Sequence, residues 1–245
     1  QLWISGAGSP MAVKDEADQK DRVAKEVARF KLICEAAAPY GCQVGIYNHG
    51  GWGGEPENAL AVTETLKAQG IKNIGIVYNL HHGHGHLDRL AQVLPKLLPH
   101  LLCVNLNGMD IDGEAKGRKI LPLGAGTEDV KVLRILRASG YNGPIGILNH
   151  TNEDAEGRLL DNLDGLKWLV PQLDDNTPGP KPKYRTWSEA AQTAAKNSNP
   201  KSSTANPAGV PSLNEEFGKA LSGGLLIDGR ADYHTVSFTI ECRAK

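Results

Sequence analysis

Short apolar runs alternate with amphipathic helical patterns along the chain as far as residue 172. The first run, at 2–6, is a predicted strand, and residues 15–38 form a helical pattern whose apolar face carries Val23, Val27, Phe30 and Cys34. The alternation continues with apolar runs at 42–48, 71–79, 101–108 and 143–149. Strands that are apolar throughout, separated by amphipathic helices, predict a parallel sheet covered by helices.

The choice between an open doubly wound sheet and a closed barrel depends on the turns after the strands. No GxGxxG motif follows the first strand, and the GAG at 124–126 is short and lies late in the chain. Polar residues instead follow several different strands, which is typical of the mouth of a (β/α)8 barrel. The expected fold class is therefore α/β, with a TIM barrel in residues 1–172.

The composition changes after the last amphipathic helix. Residues 173–212 are rich in Pro, Ser, Lys and Asn and lack apolar periodicity, which is typical of a linker. Residues 213–245 return to strand-like alternation in TVSFTIECR but are too few to bury a core of their own. They are predicted to be a β-rich fragment of a second domain.

The net charge and the hydropathy of the chain argue against nucleic acids and membranes as partners. The net charge is −1 with a pI of about 6.8, so there is no basic field for nucleic acid and no polybasic patch for a membrane surface. No apolar run reaches the roughly 18 residues of a spanning helix. We expect neither a nucleic acid nor a membrane as partner, and the oligomeric state is left open.

Histidines follow three of the predicted strands. His49 follows VGIYN, His82 lies in the HHGHGH tract at 81–86, and His150 follows IGILN. Neutral imidazole binds zinc-like divalent transition metals well, so these three residues are the predicted metal ligands. The alternatives are a glycine-spaced polar loop at 81–86, a hydrogen bond from His49 to a loop carbonyl, and capping of the final helix by His150.

Asparagines stand at five predicted strand ends, where amides can donate to and accept from sugar hydroxyls. Asparagine also stabilises loops, and Trp52, which could stack on a sugar face, could instead close the mouth. The carboxylates nearest the mouth, any of which could serve as a base, are Glu55, Glu57, Asp110 and Asp112, and no catalytic residue is assigned. The predicted sugar-binding residues are Asn48, Trp52, Asn79, Asn105, Asn107 and Asn149.

The order of YNHGG, YNLHHGH, VNLNG, LPLGAG and SGYNGPIGIL resembles the xylose isomerase-like TIM barrels, a group of sugar-phosphate isomerases and epimerases and of endonuclease IV type nucleases. The resemblance covers roughly residues 1–172 and implies that two strands of the barrel would precede Gln1. Residues 213–245, with GLLIDGR and TIECRAK, resemble the opening of a LamG or concanavalin A-like domain.

The resemblance implies a divalent metal at the mouth, held by two glutamates, an Asp-x-x-His pair and a further histidine. This chain has Asn79, Leu80, His81 and His82 at the pair, so that His82 keeps the imidazole and the carboxylate is lost. The last strand ends in Asn149 and His150. Mg²⁺ is therefore disfavoured. LPLGAG resembles the loop on the phosphate side of such barrels, where backbone N–H groups hold an anion.

Two functions follow from these residues. One is a metal-assisted sugar isomerase or epimerase, in which a His-bound zinc-like ion polarises the substrate and a loop carboxylate moves the proton. The other is a non-catalytic barrel that binds a small sugar or carbohydrate and is joined to a lectin-like module. A nuclease ranks third because the charge pattern shows no basic groove. The lectin-like resemblance suggests a periplasmic or secreted protein.

Overall fold

The computed structural model describes residues 1–148, 154–174 and 177–186. Five strands follow the apolar runs of the sequence, and each is shorter than its run. They are β1 (Leu2–Ser5), β2 (Val44–Tyr47), β3 (Ile74–Asn79), β4 (Leu101–Leu106) and β5 (Ile145–Ile147).

The helices begin and end at residues that favour such boundaries. The Asp15 carboxylate accepts from the Asp18 N–H at 2.8 Å to start the first long helix, and Asp154 caps the last one through the Gly157 N–H at 2.6 Å. Pro56 occupies the first turn of the third helix. The helices are α1 (Glu16–Ala37), α2 (Gly51–Gly54), α3 (Pro56–Ala68), α4 (Leu90–Leu97), α5 (Asp129–Ala138) and α6 (Ala155–Leu169).

The sheet is parallel throughout, and its spatial order is the order of the chain, β1-β2-β3-β4-β5. Leu2 pairs with Val44 and Val44 with Ile74, so the first three strands are in register. A doubly wound sheet reverses its strand order at a switch point, whereas a barrel adds each strand to the same side. The α/β prediction is confirmed, and the parallel sheet is consistent with part of a TIM barrel.

One face of the sheet packs against the helices. The buried side chains of Ile46 and Ile76 lie in one core with Phe30 of α1, Leu66 of α3 and Leu94 of α4. Side chains alternate along a strand, so the next residues, Tyr47 and Val77, face away from this helix layer. The apolar face predicted for α1 is confirmed, since Val27, Phe30 and Cys34 are buried and Val23 packs against them.

The compact unit that contains the sheet extends to Arg185. The segment 177–186 lies along α6: the Tyr184 hydroxyl donates to the Leu123 carbonyl at 2.8 Å, and the Arg185 guanidinium contacts the buried Asp161 carboxylate at 2.6 Å. The start of the predicted linker is therefore bound to the barrel unit. The remainder of the linker and the predicted β-rich fragment at 213–245 lie outside the described residues.

No helix among the described residues is long and apolar enough to cross a membrane.

His100, just before β4, provides a pH-dependent contribution to stability. Burial and then the Lys67 ammonium, which donates to His100 Nδ1 at 2.8 Å, lower the pKa of this imidazole below its ordinary 6.5. His100 therefore binds a proton near pH 6.5 in the unfolded chain but only at lower pH in the folded chain. The free energy of unfolding decreases as the pH falls below 6.5. We expect His100→Gln to flatten the fall in unfolding free energy between pH 7 and 5, measured by urea denaturation; an unchanged slope would contradict this role.

Candidate functional site

The carboxyl ends of the parallel strands meet at one edge of the sheet, which we call the mouth. On the face away from the helices this edge carries Tyr47 at the end of β2, Asn79 at the end of β3 and Asn105 near the end of β4. The loops that follow these strands bring His49, the 81–86 tract and Asn107 to the same edge. Three strands that are far apart in the sequence thus deliver polar side chains to one place.

Aromatic and imidazole rings form a continuous cluster at the mouth. The His49 and His82 rings lie 4.4 Å apart between centroids, and the Tyr47 ring lies 6.0 Å from His49 and 5.5 Å from His82. Trp3 of β1 stacks on the other side of Tyr47 at 6.0 Å, and His81 contacts His82 at 4.4 Å. We call these residues, Trp3, Tyr47, His49, His81 and His82, the mouth ring cluster. The structure therefore brings the predicted residues His49 and His82 together.

Two of the predicted sugar-binding asparagines hold the loops in place. The Asn48 side chain accepts from the Asn79 N–H at 2.7 Å and donates to the Asn79 carbonyl at 3.0 Å, which extends the β2–β3 ladder by a side chain. The Asn79 amide donates to the Tyr47 hydroxyl at 2.6 Å and accepts from the His81 N–H at 3.0 Å. These amides position Tyr47 and the histidine tract, and they lie beneath the ring cluster.

Asn105, in β4, and Asn107, just after it, have different contacts. The Asn105 side chain packs over Gly146 of β5. A Cβ atom added to Gly146 would lie 2.2 Å from the side-chain Oδ1 of Asn105. Asn107 is 3% exposed and donates to the carbonyls of Gly108 and Lys119 at 2.9 and 2.8 Å, while its Oδ1 is buried without a hydrogen-bond partner in the described part of the chain. Asn149 and His150 lie outside the described residues.

Trp52 lies in the core. Its side chain is 1% exposed, and its indole N–H donates to Gln19 of α1 at 2.7 Å. The one-turn helix α2 places it there, because Gly51 and Gly53 pack directly against the backbone of residues 6–9 and leave the indole pointing into the helix layer. The ring has no face available to a sugar, and the rings that are available are those of Tyr47 and His49.

The four candidate carboxylates are each paired with a basic side chain. Arg89 binds Glu55 at 2.6 Å and also binds Glu57, and Arg118 binds Asp110, while the exposed Asp112 lies 3.7 Å from the Lys116 ammonium. Burial alone would raise the pKa of Glu57, but Arg89 outweighs it and the pKa is lowered. The Arg118 guanidinium and the Thr127 N–H lower the pKa of Asp110. With their pKa values lowered, Glu57 and Asp110 are weak bases.

Glu55 also links the two loops that carry His49 and His82. Its other oxygen lies 3.3 Å from the buried His86 ring, whose Nδ1 is 2.9 Å from the Tyr78 hydroxyl on the helix side of β3. Because Glu55 starts α3 and His86 precedes α4, this contact joins the loop after β2 to the loop after β3. The sequence contains no local signal for this pair, which is 31 residues apart.

The LPLGAG loop holds a carboxylate of the chain itself. Both oxygens of Asp129, the first residue of α5, accept backbone N–H groups: Oδ1 accepts from Met109 at 2.9 Å, and Oδ2 accepts from Gly124 at 2.7 Å and Gly126 at 3.1 Å. Burial raises the pKa of Asp129 to about 7 against the effect of these donors. The N–H groups that the sequence predicts for an external anion are therefore used internally.

The described residues by themselves do not fit a divalent metal. His49 and His82 are adjacent, but residues 1–148, 154–174 and 177–186 contain no group of three or more His, Cys, Asp or Glu side chains that could hold an ion. The positions at which the resemblance implies carboxylates hold amides, which are weak ligands for transition metals. His150, the third predicted ligand, lies outside the described residues.

The comparisons with known proteins agree with the fold. The family described as the xylose isomerase-like TIM barrel matches residues 3–171, and the chain belongs to it. The resemblance stated from the sequence is thereby confirmed for the barrel. None of the curated proteins compared with the chain matches it.

Two solved structures are similar to the chain, and the first of them shares its fold. A D-tagatose 3-epimerase-like protein is similar with a TM-score of 0.52 and 20% identity over 71% of this chain. The apo form of 3-keto-D-glucoside 4-epimerase from E. coli has a TM-score of 0.44 and 18% identity over 69% of this chain. The chain spans 62% and 63% of the lengths of these two proteins.

Proposed function

We propose that the mouth ring cluster binds a small sugar and that the barrel acts by binding rather than by isomerisation. The observation that carries the proposal is that Tyr47, His49 and His82 form a contiguous ring surface at the mouth, while each nearby candidate base is paired with an arginine or lysine. A surface of rings with a few convergent polar atoms is typical of sites for small ligands.

The composition of the surface suits a sugar. Aromatic rings pack on the apolar C–H face of a pyranose or furanose, and imidazole nitrogens offer hydrogen bonds to its hydroxyls, directly or through a water. Membership of the xylose isomerase-like family supports the same ligand class, since the solved structure that shares the fold is that of a D-tagatose 3-epimerase-like protein.

Epimerisation or isomerisation needs a group that removes a proton from carbon. Such a base must have a pKa near the working pH and must reach the substrate. Glu57 and Asp110 have lowered pKa values and are engaged with Arg89 and Arg118, and Glu55 is shared between Arg89 and His86. These pairings favour binding without turnover.

A metal-assisted isomerase is the second candidate. The adjacency of the His49 and His82 rings favours it, and three imidazoles would be available if His150 joined them. Metal content of the purified full chain, measured by mass spectrometry beside a His49→Ala, His82→Ala double variant, tests this candidate. One zinc-like ion per chain that the double variant loses would favour the isomerase, whereas equal metal content in both proteins would exclude a site at these residues.

We expect His49→Ala to weaken sugar binding about fivefold, because the exposed ring contributes on the order of 1 kcal/mol of stacking and hydrogen bonding. Isothermal titration of the full chain with D-tagatose, D-fructose and D-glucose measures the dissociation constant. Tyr40→Ala is the matched control: its ring is 82% exposed but lies before β2, at the opposite end of the strands. Equal weakening in both variants, or none in His49→Ala, would refute the proposed surface.

The C-terminal segment extends this proposal. A lectin-like module at 213–245 beside a sugar-binding barrel would give two carbohydrate sites on one protein, and such a protein suits the periplasm or the cell exterior. A cleavable export signal in the intact gene product tests that location; a cytoplasmic start immediately before the barrel would contradict it.

A further inference from the structure

Residues 123–128, in the loop between β4 and α5, have no backbone N–H left for a ligand. Leu123 donates to Asn162, Ala125 to the Pro122 carbonyl and Glu128 to the Met109 carbonyl. Gly124 and Gly126 donate to Asp129, and Thr127 donates to Asp110 at 2.9 Å. Every N–H from residue 123 to residue 128 therefore has an acceptor within the chain, and two of these acceptors are carboxylates.

The basic side chains of the mouth loops are also paired. Arg89 contacts Glu55 and Glu57, Arg118 contacts Asp110, and Lys119 contacts Glu114 at 2.7 Å. The remaining one, Lys116, lies near Asp112 and donates to the Ile111 carbonyl at 3.2 Å. Across the loops at 48–55, 80–89 and 107–128, carboxylates outnumber lysine and arginine side chains.

A phosphate ester needs backbone N–H groups and basic side chains, and those of these loops are already paired within the chain. Phosphate is bound in proteins by backbone N–H groups before a helix and by arginine or lysine side chains. Here the LPLGAG loop holds the Asp129 side chain in place of an external anion. Asp110 accepts from the Thr127 N–H and pairs with the Arg118 guanidinium. A phosphoryl group beside residues 123–128 would meet the carboxyl groups of Asp110 and Asp129 and no backbone N–H that is still unpaired.

We propose that the mouth selects an uncharged sugar over its phosphate ester, with Asp110 and Asp129 as the residues that determine this selectivity. The inference rests on the proposed function, because it concerns the ligand of the same mouth. It narrows the ligand class from sugars and sugar phosphates, both of which the sequence resemblance allows, to unphosphorylated sugars.

Titration of the full chain with D-fructose, D-fructose 1-phosphate and D-fructose 6-phosphate tests the inference. We expect the two esters to bind about tenfold more weakly than fructose, and inorganic phosphate not to compete with fructose. Esters that bind as tightly as fructose, or competition by phosphate, would overturn the selectivity and leave the proposed function intact. If D-fructose, D-tagatose and D-glucose all fail to bind, the proposed function is refuted, and the selectivity with it.

A variant makes the test specific to the loop. Asp110→Ala releases the Thr127 N–H and the Arg118 guanidinium, so we expect D-fructose 6-phosphate to bind about fivefold more tightly than it binds the wild-type chain. Asp164→Ala removes one exposed carboxylate on α6, outside the loop, and controls for the change in net charge. An equal gain in both variants would show that net charge, and not the occupied loop, excludes the ester, and would overturn the assignment to Asp110.

Discussion

Replacing Asp161 by asparagine is expected to lower the free energy of unfolding by about 3–5 kcal/mol. The Asp161 side chain is 0% exposed and receives the Arg158 guanidinium at 3.0 Å and the Arg185 guanidinium at 2.6 Å, together with the Arg185 N–H at 3.1 Å. Asparagine has nearly the same shape but no charge. The substitution therefore leaves the guanidinium of Arg158, which is 9% exposed, without the buried negative charge that it pairs with.

Asp164→Asn on the same helix is the matched control. Its carboxylate pairs with Lys167 at 2.8 Å, but both side chains are well exposed, and such pairs contribute at most about 1 kcal/mol. Urea denaturation followed by circular dichroism gives both free energies. Tryptic cleavage after Lys183 gives a second readout, since the loss of Asp161 releases the segment 177–186 from α6. A loss below 1 kcal/mol with unchanged cleavage would show that Asp161 does not anchor this segment.

Replacing Asp129 by asparagine is expected to cost about 3 kcal/mol of unfolding free energy, because the N–H groups of Met109, Gly124 and Gly126 lose a carboxyl acceptor and face an amide that also donates. Glu128→Gln is the matched control: this neighbouring carboxylate binds the half-exposed Lys131 side chain at 3.2 Å. We expect the control to cost less than 1 kcal/mol.

The pH dependence of the Asp129 effect has a definite sign. Burial raises the pKa of Asp129 to about 7, whereas the carboxyl of the unfolded chain titrates near 3.8. The folded chain holds a proton between these values that the unfolded chain has released, so the wild-type stability due to this group falls as the pH rises from 4 to 7. The gap between wild type and Asp129→Asn should be wider at pH 5 than at pH 8. A gap that widens with rising pH would show that the backbone donors outweigh burial.

The parallel sheet could be predicted from the sequence because its signal is local. Each strand is an apolar run bounded by polar or glycine residues, and the helices show one buried stripe, as Val27, Phe30 and Cys34 do in α1. The approach of His49 to His82 also follows from the pattern. Both residues come just after neighbouring parallel strands, and the carboxyl ends of such strands meet at one edge.

What each polar side chain does at the mouth could not be predicted, because it depends on partners far away in the sequence. Asn48 binds the backbone of Asn79, 31 residues on, and Arg89 reaches Glu55, 34 residues back. The glycines around Trp52 suggest an exposed ring that could bind a sugar. In the structure these glycines instead allow close backbone packing, which places the Trp52 ring in the core. Tyr47 was overlooked although strand alternation places it on the same face as His49.

The central claim is that the mouth ring cluster binds a small sugar without converting it. The most direct measurement is nuclear magnetic resonance of the full chain during titration with D-tagatose, D-fructose and D-glucose, following the imidazole signals of His49 and His82 together with the sugar signals. The account predicts saturable shifts of both imidazoles with at least one sugar and an unchanged sugar spectrum after prolonged incubation. Signals of an epimer or isomer, or imidazole signals that no sugar moves, would contradict it.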